Sequence, residues 1–126
     1  MTKPFKILLV DDCDADRYFF KRSLRKVDAG AELVEFCYAE DALGYLTQQG
    51  RSQLDCVFVD INMPRLSGFE FADAYQKLYP DLSNPTRLFI CSSSMAQVDA
   101  ERAYRHPVVT DFCEKPVPSE FLRSLM

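Results

Sequence analysis

Asp11 and Asp12 close the apolar run Ile7-Leu8-Leu9-Val10, and Asp60 closes Cys56-Val57-Phe58-Val59. Ser92 closes Leu88-Phe89-Ile90-Cys91, and Lys115 follows Asp111-Phe112-Cys113-Glu114. If these runs are neighbouring strands, carboxylates, a hydroxyl and an ammonium meet at one end of a sheet. Crowded carboxylates repel one another and must bind a cation, share a proton or find a lysine. A hard-oxygen set without His or Cys suits Mg²⁺ (or Mn²⁺), which commonly bridges carboxylate and phosphate. Asp60 stands apart from the pair and could act as a nucleophile, because aspartate forms acyl phosphates. Ser92 would then donate to one phosphoryl oxygen and Lys115 to another, or to the Asp60 carboxylate beforehand, leaving a third oxygen for the metal. Taken singly, an Asp-Asp pair caps helices, a serine at a strand end forms turns and a Lys-Pro lies on the surface. Their joint occurrence, in order, points to a site.

The elements that must position these residues follow from periodicity. Strand-like runs at 5–10, 32–37, 56–59, 88–91 and 110–114 alternate with helix-like segments at 14–27, 40–49, 68–79, 96–104 and 119–126. Asp14 is expected to cap the first helix, Gly50 to end the second and Pro80 to stop the third. The third strand is apolar on both faces and is expected at the centre, whereas the second alternates and is expected nearer an edge. Five β-α units in succession predict an α/β fold, a doubly wound five-stranded parallel sheet with helices on both faces. In such sheets, sites form beyond the carboxyl ends of the strands. The whole of 1–126 reads as one domain.

Composition narrows the function classes. A net charge of -4 leaves no basic excess for neutralising phosphates, so no nucleic-acid partner is expected. No apolar stretch approaches membrane-spanning length and no signal-peptide core is visible, so no membrane partner and a cytoplasmic location are expected. Cys13, Cys37, Cys56, Cys91 and Cys113 form no CxxC pair and read as buried free thiols, with Cys13 alone near the proposed site.

The motifs Leu9-Val10-Asp11-Asp12, Asp60-Ile61-Asn62-Met63-Pro64 with Gly68, Ser92, and Lys115-Pro116 together resemble the receiver domain of two-component response regulators, close in length to its chemotaxis-type single-domain members. The resemblance covers Phe5 to the C-terminus and implies the flavodoxin-like strand order 2-1-3-4-5. It implies that Asp60 is the phosphoacceptor, charged by a sensor histidine kinase or a histidine phosphotransfer protein, with self-catalysed phosphotransfer and dephosphorylation only. Asp12, Asp60 and the Asn62 backbone carbonyl would ligate the metal, and Asp11 would hold a metal-bound water. Ser92 and Lys115 would contact the phosphoryl group, Ser93 would keep the site open, and the Lys115–Pro116 bond would be cis. Ser92 and Phe112 would form the switch that reshapes the surface of the fourth helix, fifth strand and fifth helix; Phe112 reads equally well as a plain core residue. The last helix is shorter than is usual in the family, which leaves either a shortened chain or a reduced output face. No effector segment is expected after it, so the signal is expected to pass by contact to an unknown downstream protein or through an output supplied by a neighbouring chain, from a monomer or a phosphorylation-dependent homodimer.

Arg17, Tyr18, Lys21 and Arg22, with Arg25 and Lys26, give the first helix a basic outward face, either a solvated surface or a docking site for the kinase. His106 reads as a surface residue, and Val98, Arg102 and Tyr104 as either output contacts or ordinary packing. Two rivals remain besides a phosphorylation-independent adaptor. A haloacid-dehalogenase-type phosphatase or phosphotransferase would carry its nucleophile in a DxD motif on the first strand, where this chain has an adjacent pair. A flavin carrier would need a phosphate-cradling loop there.

Overall fold

The computed structural model describes residues 3–93 and 97–126, and for Gln97 and Val98 the backbone only. The elements run β1 (Lys6–Val10), α1 (Asp14–Val27), β2 (Glu32–Phe36), α2 (Ala39–Gln49), β3 (Cys56–Asp60), α3 (Gly68–Leu78), β4 (Arg87–Ser92), α4 (Gln97–Arg105), β5 (Asp111–Glu114) and α5 (Ser119–Ser124). The expected start of the fourth helix at Ala96, and the side chain of Val98, lie outside the described residues.

The strands form one parallel sheet in the order β2-β1-β3-β4-β5. That is the doubly wound, flavodoxin-like arrangement expected, with β3 central and buried at every residue and β2 half-buried at an edge. Alternate side chains of the central strands feed two cores. Leu8, Val10, Val57, Val59, Leu88 and Ile90 pack with residues of α2, α3 and α4 such as Leu46, Tyr75 and Ala103. Ile7, Leu9, Phe58, Phe89 and Cys91 pack against α1 and α5 through Phe20, Leu24 and Leu122. Phe58 is the hub of this second core: its ring meets Phe20 at 5.0 Å and Phe89 at 4.8 Å between centroids. Strands covered on both faces read as continuous apolar runs, and so the sequence marks them clearly.

Helix ends depart from the expectation in an instructive way. Asp14 is the first residue of α1 and not its cap; the cap position is Cys13, whose N–H donates to Asp11 Oδ1 at 2.9 Å. The nearer carboxylate, that of Asp14, is taken by Arg17. By contrast α3 starts on a full capping box, with Glu70 N–H donating to Ser67 Oγ and Ser67 N–H donating to Glu70 Oε1. The last helix stops at Ser124. Among the described residues no helix is long and apolar enough to cross a membrane.

Candidate functional site

All five residues singled out for chemistry lie at the carboxyl edge of the sheet. Asp60 is the last residue of β3 and Ser92 the last of β4, each still within its ladder, while Asp11 directly follows β1 and Lys115 directly follows β5. Parallel register brings them level. Asp11 N–H donates to the Phe36 carbonyl, and Lys115 N–H donates to the Ser92 carbonyl at 2.7 Å, each one step past the strand ladder. Asp11, Asp60 and Ser92 are buried; Asp12 is exposed. Carboxylate oxygens of Asp11, Asp12 and Asp60 converge within 4.8 Å of one another.

The backbone around Asp60 is fixed from behind by α3. Gly68 N–H donates to the Ile61 carbonyl at 3.0 Å, and a Cβ at position 68 would stand 2.6 Å from the Asp60 carbonyl oxygen and 2.9 Å from Ile61 Cα. Only glycine lets α3 rest this closely on the strand end. Between them the loop carries Asn62 exposed to solvent and Arg65 at φ +70°, a left-handed conformation that costs a side-chain-bearing residue about 1 kcal/mol. Arg65 pairs with Glu40 at 3.1 Å and lies over the Tyr38 ring, 4.6 Å from its centroid.

Lys115 is the electrostatic centre. Its Nζ reaches Asp16 Oδ2 at 2.7 Å, Asp11 Oδ2 at 2.9 Å and Asp60 Oδ1 at 3.2 Å. Burial disfavours the ammonium, but the hydrogen bonds to Asp16 and Asp11 outweigh it and raise its pKa above the ordinary lysine value. For Asp60, burial is the largest influence; with the neighbouring Asp11 charge it raises the pKa to about 6 against the pull of Lys115. One ammonium among this many carboxylates leaves the cluster short of positive charge. Its donors are all hard oxygens, so a divalent cation of the Mg²⁺ type fits the set. The Lys115–Pro116 peptide is cis.

Phe112 is buried and pairs in register with Ile90, two residues before Ser92. Strand alternation therefore sets Ser92 on the face that Phe112 occupies, toward α4. Lys115 faces the other side, where Asp16 and Phe20 of α1 and Pro116 and Val117 line a small cavity with it.

Other residues sit differently from the sequence reading. Arg17 is turned inward, its side chain 14% exposed, donating to the Asp11 carbonyl and pairing with Asp14 and Glu35. Lys21 pairs with Glu35 at 2.7 Å. Tyr18 is 60% exposed, and with Lys21, Arg22, Arg25 and Lys26 it lines a shallow groove of about 450 Å³ along α1. Phe19 beside it is also exposed, edge-on to Tyr18. His106 is not a free surface residue: its ring is 12% exposed, bonded to Asp73 of α3 at 2.8 Å and accepting from Val108 N–H. Arg102 lies 4.1 Å over the Phe69 ring, so α4 and the residue just past its end are each fastened to α3, while Tyr104 is exposed. Cys56, Cys91 and Cys113 are buried as expected, but Cys37 is exposed along with Cys13, because it lies past the end of an edge strand. Asp16 was not anticipated at all. Its one visible signal is a helical position one turn before the buried Phe20, on the inward side of α1.

Comparison with known proteins gives a consistent result. A family profile described as the response regulator receiver domain matches residues 7–126. The stress response regulator protein 1 of Meyerozyma guilliermondii is 37% identical over 68 residues, 54% of this chain and 30% of that protein. The sensor histidine kinase CheAY of Helicobacter pylori is 27% identical over 120 residues, 95% of this chain but 14% of that protein. This chain thus spans less than a third of either curated relative. Among solved structures, a two-component response regulator from Cytophaga hutchinsonii superposes with a TM-score of 0.88 at 23% identity, covering 98% of this chain and 95% of that one. A response regulator receiver protein from Dyadobacter fermentans gives 0.84 at 29% identity, with 96% and 94% covered.

Proposed function

This chain belongs to the response regulator receiver domain family, and we propose that it acts in two-component signalling as a phosphoacceptor, with Asp60 as the modified residue. The observation that carries this reading is the convergence on Asp60 of two further carboxylates and the Lys115 ammonium, 3.2 Å away, at the carboxyl edge of the sheet. Asp12, Asp60 and the Asn62 carbonyl would hold a Mg²⁺ ion, with Asp11 acting on it through water, and the ion when bound neutralises charge on the phosphoryl group.

The chain's own groups then have defined tasks. A carboxylate oxygen of Asp60 attacks phosphorus, the bond from phosphorus to the donor's imidazole nitrogen breaks, and the imidazole leaves with that electron pair and takes up a proton. Lys115 gives one N–H to a phosphoryl oxygen and Ser92 gives its hydroxyl to another. Gly68, packed against the Asp60 carbonyl, fixes the backbone from which the nucleophile projects. The donor is a sensor histidine kinase or a histidine phosphotransfer protein; that one relative is itself named a sensor histidine kinase supports this class. Movement of Ser92 toward the phosphoryl group, with Phe112 adjusting on the same sheet face, would alter the α4-β5-α5 surface for a downstream protein. The phosphatase reading loses ground because Asp11 and Asp12 are adjacent and Asp60 lies on β3.

Incubation with acetyl phosphate and Mg²⁺, read by intact mass, tests the proposal. One phosphoryl adduct is expected on the wild type, and none on Asp60→Asn or with the metal chelated. Absence of an adduct on the wild type under trapping conditions would sink the phosphoacceptor role and leave a phosphorylation-independent adaptor.

A further inference from the structure

Of the three carboxylates that hold Lys115, the closest belongs to a residue with no task in the reaction above. Asp16 Oδ2 lies 2.7 Å from Nζ, against 2.9 Å for Asp11 and 3.2 Å for Asp60. The ammonium donates hydrogen bonds to Asp16 and Asp11 and meets Asp60 as an ion pair. Asp16 is not diverted elsewhere: the neighbouring guanidinium of Arg17 is engaged by the Asp11 carbonyl, Asp14 and Glu35. Nor does Asp16 belong to the converging acidic cluster, which is made by Asp11, Asp12 and Asp60.

We propose that Asp16 is a positioning residue for phosphoryl transfer, the tether that keeps Lys115 aimed at the phosphoryl site while Asp11 and Asp60 are drawn off. This rests on the phosphoacceptor reading. In that reaction the Asp11 charge would be shared with a bound cation, and Asp60 would give up its own in forming the acyl phosphate. Two of the three anchors of Lys115 are thereby weakened at the moment its direction matters. A lysine side chain is a flexible stem that loses its geometry when unheld. Asp16 is fixed to the first turn of α1 and is unaffected by either event, so the contact between them persists throughout.

The sign of the effect separates this role from simple electrostatics. Loss of a negative charge near an anionic donor would by itself speed attack on phosphorus; loss of a tether slows it. With acetyl phosphate and Mg²⁺, the Asp16→Ala chain is expected to gain its adduct about fivefold to tenfold more slowly than wild type, with Asp16→Asn, which keeps an acceptor, nearer to wild type. A second measurement needs no phosphoryl donor. Acylation of Lys115 by a water-soluble succinimidyl ester, followed by peptide mass spectrometry, should be faster in Asp16→Ala, and the gap from wild type should widen when Mg²⁺ is added. Equal or faster adduct formation in Asp16→Ala, or Lys115 labelling that does not differ from wild type with Mg²⁺ present, would overturn the proposal. If the wild type itself takes no phosphoryl group, the phosphoacceptor reading fails while the labelling still reports on the tether.

Discussion

The Asp60 carboxyl is only 8% exposed, and burial together with the charge of Asp11 raises its pKa from an ordinary 3.8 to about 6. The folded chain therefore holds the proton more tightly than the unfolded chain. Stability from this group is complete below about pH 4 and is lost as the pH rises through 6. One pKa unit corresponds to about 1.4 kcal/mol, so the ionised carboxylate costs the fold about 2 kcal/mol at neutral pH once solvent at the mouth of the site is allowed for. Asp60→Asn should accordingly raise the urea-unfolding free energy by about that amount at pH 7.5 in chelator, and the gain should vanish by pH 4. A gain that is flat across this range would refute the charge argument. The residues of this site were legible because each ends an apolar run and strand order makes the ends meet. Asp16, inward Arg17 and His106 were not: their partners Lys115, Glu35 and Asp73 lie far away in sequence, and helical periodicity gives a face without naming what it touches.

At the level of elements, α3 acts as the backstop of the site. Alanine at position 68 would put its Cβ against backbone at Asp60 and Ile61, which cannot move aside as a side-chain tip could. Gly68→Ala should therefore lose about 2–3 kcal/mol and phosphorylate poorly. Gly44, in the exposed middle of α2, is the natural control: nothing lies within 4 Å of its added Cβ, and Gly44→Ala should gain about 0.5–1 kcal/mol. Chemical denaturation of the two variants reads both signs, and a stable Gly68→Ala chain with normal adduct formation would show that α3 can retreat. Element order and sheet topology were readable from alternating periods, but this close approach was not, because a glycine at a helix start looks the same whether it caps or packs. Asp14 does not cap because α1 begins one residue earlier than its carboxylate would require, with Arg17 N–H donating to the Cys13 carbonyl and the Asp14 carboxylate paired with Arg17.

At the scale of the whole molecule, the groove on α1 is a basic surface suited to an acidic partner, narrowed to Tyr18, Arg22, Arg25 and Lys26 with part of Lys21. Arg22→Glu should slow phosphotransfer from a cognate kinase about tenfold or more while leaving adduct formation from acetyl phosphate unchanged, because only the first needs protein contact. Equal rates from the kinase would remove α1 from the docking surface. Asp60 lies at the centre of the sheet edge, with Lys115 and α1 on one side and Ser92, Phe112 and α4 on the other. The carboxyl edge of the sheet is thus where its two faces meet. In the proposed role, a kinase on α1 and a downstream protein on the α4-β5-α5 surface would meet different residues joined through one oxygen-rich point, with α5 sharing the face of α1. Substitutions on the α1 face, which packs with α5, bear on that point through Lys115, and those on the α4 face bear on it through Ser92 and Phe112.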